Sequence, residues 1–186
     1  MKTKVEPLNK VKAMLYGNFT TEAVQYGMES EDKTVGLYIK EMQQEGITRG
    51  ERSWTFTVQE ETISGASFDR VITNLDTNEK WGMEIKSPFS KAGMTVEDAC
   101  KTKKLFLEKL SDGTIRLKRT HDYFIQVQGQ LYVAYNLDLK GIVFIVYFGE
   151  ELPLFKENII FESNRWQNEV LPKLEFFYKR DFFPEM

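Results

Sequence analysis

The sequence predicts an α/β domain, a mixed β-sheet with helices packed against it. Three observations predict it. Trp81-Gly82-Met83-Glu84-Ile85-Lys86 and Ser53–Val58 alternate residue by residue, the period of a strand with one buried face. Gly141–Phe148 is continuously apolar, as a central strand covered on both sides should be. Thr21–Glu45 and His121–Asn136 place apolar residues at helical spacing. The resulting order of helix, several strands, helix, helix, strand and helix suits a mixed sheet.

Taken in order, Met1–Val11 is polar and lysine-rich, a short helix at best, and Lys12–Tyr16 is a brief apolar turn. Asn18–Thr21 offers helix-capping side chains, so a helix is expected from Thr21 to Glu45, closed by Gly46. Its apolar stripe is Val24, Met28, Val35, Tyr38, Ile39 and Met42, with Glu31 interrupting it. Ser53–Val58 is a strand and Gln59–Glu61 a turn. Ile63–Ile72 is a second strand, and the turn-rich Thr73–Glu79 folds Trp81–Lys86 back on it. Thr95 and Asp98 open a helix expected to reach about Leu110. Ser111-Asp112-Gly113 turns the chain into an extended Thr114–Arg119. His121–Asn136 is a helix with Tyr123, Val127, Leu131 and Tyr135 along one face, and Gln126 and Gln130, four apart, sharing another. Asn158–Phe161 is a further strand. Asn164–Arg180 is a closing helix, kinked at Pro172. Repeats, linkers and low-complexity stretches are absent, so residues 1–186 are expected to form one domain.

Composition narrows the function. The chain has 186 residues, 41% hydrophobic and 28% charged, which suits a globular domain with a real core. No apolar run is long enough to span a bilayer, and the N-terminus is charged rather than signal-like. A single cysteine, Cys100, excludes internal disulfides and multi-cysteine metal sites, and points to a reducing compartment, cytoplasmic or nuclear. Cys100 is set aside as a nucleophile, because the lone histidine, His121, is distant in sequence and no thiol-activating motif surrounds the cysteine. The net charge of −3 argues against a broad nucleic-acid-binding surface. A local basic cluster offsets it: Lys101, Lys103, Lys104, Lys109, Arg116, Lys118 and Arg119. Its plain reading is a solvated face.

The chemistry centres on Trp81–Lys86. On a strand Trp81, Met83 and Ile85 share one face, and Gly82, Glu84 and Lys86 the other. The preceding hairpin brings Asp69 near Glu84. Two carboxylates and a lysine on one face suit a Mg²⁺ site that positions a water. The alternative is a solvated strand face. Glu31 reads either as a boundary glutamate paired with an arginine or as a third ligand lining the same cleft.

Four blocks then carry a family resemblance. Tyr26-Gly27-Met28-Glu29-Ser30-Glu31 resembles a Gly-x-x-x-Glu helix, and Gly65-Ala66-Ser67-Phe68-Asp69 a Gly-Ala-Ser-Pro-Asp strand. Glu84-Ile85-Lys86-Ser87-Pro88 resembles Glu-Ile-Lys-Cys-Pro, and Tyr123–Leu131 a Tyr-x-x-Gln-Val-Gln-Gly-Gln-Leu helix. This is the pattern of the YqaJ-like viral recombinase family, similar to phage lambda exonuclease, within the PD-(D/E)XK nuclease superfamily. Lys173–Tyr178 and Phe183-Pro184-Glu185 are also similar to the closing part of such domains, so the resemblance spans roughly residues 12 to 186. Phe68, Arg70 and Ser87 depart from the family's Pro, Gly and Cys.

The resemblance implies a restriction-endonuclease-like mixed sheet flanked by helices. It also implies Mg²⁺- or Mn²⁺-dependent hydrolysis of DNA phosphodiesters, commonly 5′→3′ from duplex ends, in recombination or mobile-element processing. Glu31, Asp69, Glu84 and the carbonyl of Ile85 would hold metal. Lys86 would orient water and offset developing charge, and Gln126 would position Lys86 or the phosphate. Lys101, Lys103, Lys104, Arg116, Lys118, Arg119 and Gln130 would face DNA. A single-strand annealing protein and further copies of the chain are candidate partners, and a membrane is not. The competing expectations are an endonuclease of the same fold and a nuclease-like binding module acting through partners.

Overall fold

The computed structural model describes residues 21–48, 56–59, 62–63, 66–74 and 77–182. The readings made at Met1–Thr20, Ser53–Thr55, Glu60–Glu61, Ser64–Gly65, Leu75–Asp76 and Phe183–Glu185 lie outside them. Residues Glu22–Phe161 form one compact unit, and residues from Glu162 onward belong to a second. Among the described residues no helix is long and apolar enough to cross a membrane.

The first unit is built on a five-stranded mixed sheet in the order β1-β4-β5-β8-β9. The strands are β1 (Phe56–Gln59), β4 (Arg70–Asn74), β5 (Lys80–Lys86), β8 (Leu139–Val146) and β9 (Phe155–Ile159). β5 runs antiparallel to β4 and parallel to β8, and the other pairings are antiparallel. Two small hairpins lie outside this sheet, β2 (Thr62–Ile63) with β3 (Ala66–Ser67), and β6 (Leu107–Lys109) with β7 (Ile115–Leu117). The architecture is therefore the helix-flanked mixed sheet of a restriction-endonuclease-like core.

From Gly141 onward β8 is buried along both faces, as its unbroken apolar sequence there requires. Val143, Ile145 and Tyr147 join Met83 and Ile85 of β5 in a core beneath α1 (Glu22–Thr48). Ile142, Phe144, Val146 and Phe148 join Phe124, Val127 and Leu131 of α3 (Asp122–Val133) in the core on the other face. The sheet is thus sandwiched between the two longer helices of this unit.

Several elements differ from the sequence reading. α1 runs through Gly46 to Thr48, since an internal glycine costs a helix only about 1 kcal/mol. Its buried stripe is Ser30, Thr34, Val35 and Tyr38, while Val24 and Met28 are 45% and 68% exposed. Ser30 and Thr34 can be buried because each hydroxyl donates to the carbonyl four residues earlier, Tyr26 and Ser30. The strand expected over Ile63–Ile72 breaks at Phe68 and Asp69. The helix opened by Thr95 is only α2 (Val96–Cys100), although its cap forms as expected, with Thr95 Oγ1 accepting from the Asp98 amide. Leu105, Phe106 and Leu107 explain the early stop: three consecutive buried side chains cannot share one helix face. α3 stops at Val133, and Tyr135, expected on its inner stripe, is 83% exposed in a following 3₁₀ turn. β9 lies three residues before its expected start. Its charged Lys156 and Glu157, bonded to Glu41 and Arg119, mask the strand pattern.

The second unit, taken by itself, is helical from Ser163 to Phe182, with π-helical segments at Trp166–Val170 and Tyr178–Phe182. The first ends just before Pro172, whose missing N–H and bulky ring disfavour the α-helical bond to the preceding turn.

One glycine fixes the site's floor. A Cβ on Gly82 would meet the Phe68 ring at 2.9 Å and Ile142 Cγ1 at 3.0 Å. Phe68, buried where the resembled pattern has proline, therefore packs over a residue without a side chain. Gly82→Ala is expected to destabilise the protein by about 1–3 kcal/mol through overpacking. Equilibrium denaturation measures this, and an unchanged midpoint would contradict the packing described.

Candidate active site

β5 alternates as expected. Met83 and Ile85 enter the α1 core, and Glu84 points toward α3. Glu84 is 2% exposed, a buried carboxylate that needs partners. It has three. Gln126 Nε2 donates to Oε1 at 2.7 Å, Gln130 Nε2 donates to Oε2 at 2.7 Å, and the Lys86 ammonium donates to Oε1. The two glutamines lie one helical turn apart on α3, which is why both reach one carboxylate. Gln130 is buried and also donates to the Ser67 carbonyl at 2.8 Å, so its amide is held inside the protein.

Lys86 completes the group. Its ammonium lies 4.8 Å from the centre of the Tyr123 ring. Burial pulls its pKa down, but Glu84, Asp69 and Tyr123 together outweigh burial and the net direction is up. Lys86 is thus a held cation, and it has a structural task that the sequence did not show, neutralising Glu84.

Asp69 sits in the break before β4. The β4–β5 ladder ends at Arg70 opposite Met83, and beyond it the Ile85 amide donates to Asp69 Oδ2 at 2.6 Å. A side chain replaces a ladder bond, which is why the strand is interrupted here. Burial raises the Asp69 pKa to about 6, the Glu84 and Glu31 carboxylates add to the rise, and the Ile85 N–H opposes it. Glu31 is partly buried on α1, and its pKa is raised by burial and by Glu84, against Arg70 and Lys86. The three carboxylates therefore share one electrostatic neighbourhood. Glu31 and Lys86 line an open pocket of about 360 Å³ with Met28, Ser87, Phe106 and Tyr123. Asp69 and Glu84 are not among its lining residues.

Among the described residues no three carboxylate, histidine or cysteine side chains form a ready metal cage. The donor chemistry nevertheless fits a hard divalent cation: three carboxylates and the Ile85 carbonyl, all oxygen. The raised Asp69 pKa comes first from burial, and the neighbouring carboxylates add to it.

That shift gives a sign for pH dependence. Between about pH 4 and pH 6 the native state binds more protons at Asp69 than the unfolded chain does. The contribution of Asp69 to stability without divalent cations is therefore greatest below about pH 4 and falls, by about 2–3 kcal/mol, as pH rises through about 6. Urea unfolding in chelator across this range measures it, and an Asp69→Asn variant should flatten the fall.

The basic cluster is largely engaged within the protein. Lys101 pairs with Asp98, Arg116 with Glu108 and Arg119 with Glu157. The Arg119 guanidinium also lies over the Phe124 ring, and Lys118 donates to the Leu105 carbonyl. Lys103 and Lys104 are exposed. Cys100 is partly buried, and burial raises its thiol pKa, as suits an unreactive side chain. Sequence reasoning missed Arg70 and Asp32. Their adjacency to Asp69 and Glu31 was the available signal.

The family model for the YqaJ-like viral recombinase domain matches residues 2–136. This span holds all four resembling blocks, and the closing segments at Lys173–Tyr178 and Phe183–Glu185 lie beyond it. No curated protein matches the chain. With its mixed sheet, its Glu84–Lys86 strand and a match over well more than half its length, the chain belongs to the YqaJ-like viral recombinase domain family, a nuclease family of the lambda-exonuclease type.

Proposed function

We propose that this protein is a Mg²⁺- or Mn²⁺-dependent DNA nuclease that hydrolyses phosphodiester bonds, acting 5′→3′ from duplex ends. The observation that carries the reading is the buried Glu84, held by Lys86, Gln126 and Gln130, with Asp69 and Glu31 in its electrostatic neighbourhood. Glu31, Asp69, Glu84 and the Ile85 carbonyl would hold the cation, which when bound polarises the phosphate and lowers the pKa of water. Gln126 and Gln130 fix the Glu84 carboxylate by donating one amide hydrogen to each oxygen. Lys86, kept protonated by Glu84, donates to a phosphate oxygen and offsets the charge that develops there. A bound cation would share the Glu84 carboxylate with the Lys86 ammonium.

A second reading, a binding module on a nuclease fold, is favoured by one observation. Lys101, Arg116 and Arg119 of the basic cluster are paired with carboxylates and Lys118 bonds a carbonyl, on a chain of net charge −3. Incubation with linear and circular duplex DNA, with and without Mn²⁺, separates the readings. The exonuclease reading expects loss of linear DNA alone, and only with the cation. Nicked circles would mean an endonuclease, and intact DNA of both forms would favour the binding module.

A further inference from the structure

Arg70 joins two elements that carry carboxylates. Its Nη2 donates to Asp32 Oδ1 at 2.6 Å, and its Nη1 donates to the Asp69 carbonyl at 2.5 Å. Asp32 follows Glu31 on α1, and Asp69 occupies the strand break. The Arg70 side chain is 16% exposed and that of Asp32 is 86% exposed. An ion pair with one end so exposed adds little stability by itself. The planar fork of the guanidinium, spanning two elements at once, has geometric value instead.

We propose that Arg70 is a positioning residue, a strap that holds the Glu31 segment of α1 against the Asp69 break so that both carboxylates face Glu84 before a cation enters. The proposal rests on the cation-site reading above.

Charge and geometry make opposite demands here. If Arg70 acted only as a cation, its removal would relieve repulsion and tighten divalent binding. If it acts as a strap, its removal loosens the ligand set. Supporting partners of metal ligands typically contribute ~10–100-fold in affinity. Arg70→Lys keeps the charge, but a single ammonium does not reproduce the two-pronged fork.

The test uses Arg70→Ala and Arg70→Lys in the full chain, with Mn²⁺ calorimetry and amide exchange at Ile85 measured without cation. The Ile85 amide reports directly on the Asp69 carboxylate. The strap predicts Mn²⁺ binding weakened ~10-fold or more in both variants, with faster Ile85 exchange in both. Tighter binding in Arg70→Ala with wild-type binding in Arg70→Lys would overturn it, as would unchanged Ile85 exchange in both. Should wild-type protein bind no Mn²⁺, the cation-site reading fails and Ile85 exchange alone decides the role of Arg70. If Arg70→Ala does not fold, Asp32→Ala cuts the other end at an exposed position and is read by Ile85 exchange alone, since losing a carboxylate would itself weaken Mn²⁺ binding.

Discussion

Lys86→Ala is expected to lower the rate of DNA cleavage ~10²–10³-fold, the usual effect of removing one preorganised charge from a reacting phosphate. The structure adds two consequences. Lys86 donates to a carboxylate that is 2% exposed, so its removal leaves Glu84 with two neutral amide donors and no countercharge. Breaking a buried pair from one side costs about 3–5 kcal/mol when both partners are fully buried. Lys86 is 21% exposed, so a loss nearer 2–3 kcal/mol is expected in chelator. Added Mn²⁺ should restore that stability and bind at least as tightly as in wild type, because the ammonium no longer shares the Glu84 carboxylate. Thermal unfolding with and without Mn²⁺, alongside single-turnover cleavage, reads all three effects. Cleavage at the wild-type rate would remove Lys86 from the chemistry.

The second large effect is at Glu84. Glu84→Gln preserves shape but turns one acceptor oxygen into a donor NH₂. Three donors, Lys86, Gln126 and Gln130, converge on the two oxygens, so at least one donor must then face another. Each donor left unsatisfied in a buried place costs about 1–3 kcal/mol. Cleavage is expected to fall at least ~10³-fold, here through lost cation binding rather than lost charge stabilisation. The two variants thus separate the roles: Lys86→Ala binds Mn²⁺ and does not cut, whereas Glu84→Gln does neither.

Much of this site was legible because strand and helix periods are strict. Trp81, Met83 and Ile85 could only share one face, which placed Glu84 and Lys86 on the other. Gln126 and Gln130, four apart, could only point together. What was not legible involved polar groups satisfied locally or at long range. Ser30 and Thr34 line the buried face of α1 because their hydroxyls bond their own helix, so apolar pattern alone shifted the stripe to Val24 and Met28. The break at Asp69 depends on a side chain taking the place of a ladder bond to Ile85. Leu105–Leu107 ended a helix whose cap was read correctly, because burial of three neighbours overrides helical spacing. Arg70 was read as a departure from a pattern, and its partner Asp32 lies on a different element.

On the proposed reading, Glu31, Asp69 and Glu84 form a divalent-cation site. Calorimetric titration of Mn²⁺ into wild-type protein and Glu84→Gln at neutral pH tests it most directly. Saturable binding to the wild type that is lost in Glu84→Gln is expected. Equal heats in the two proteins, or none in the wild type, would contradict it.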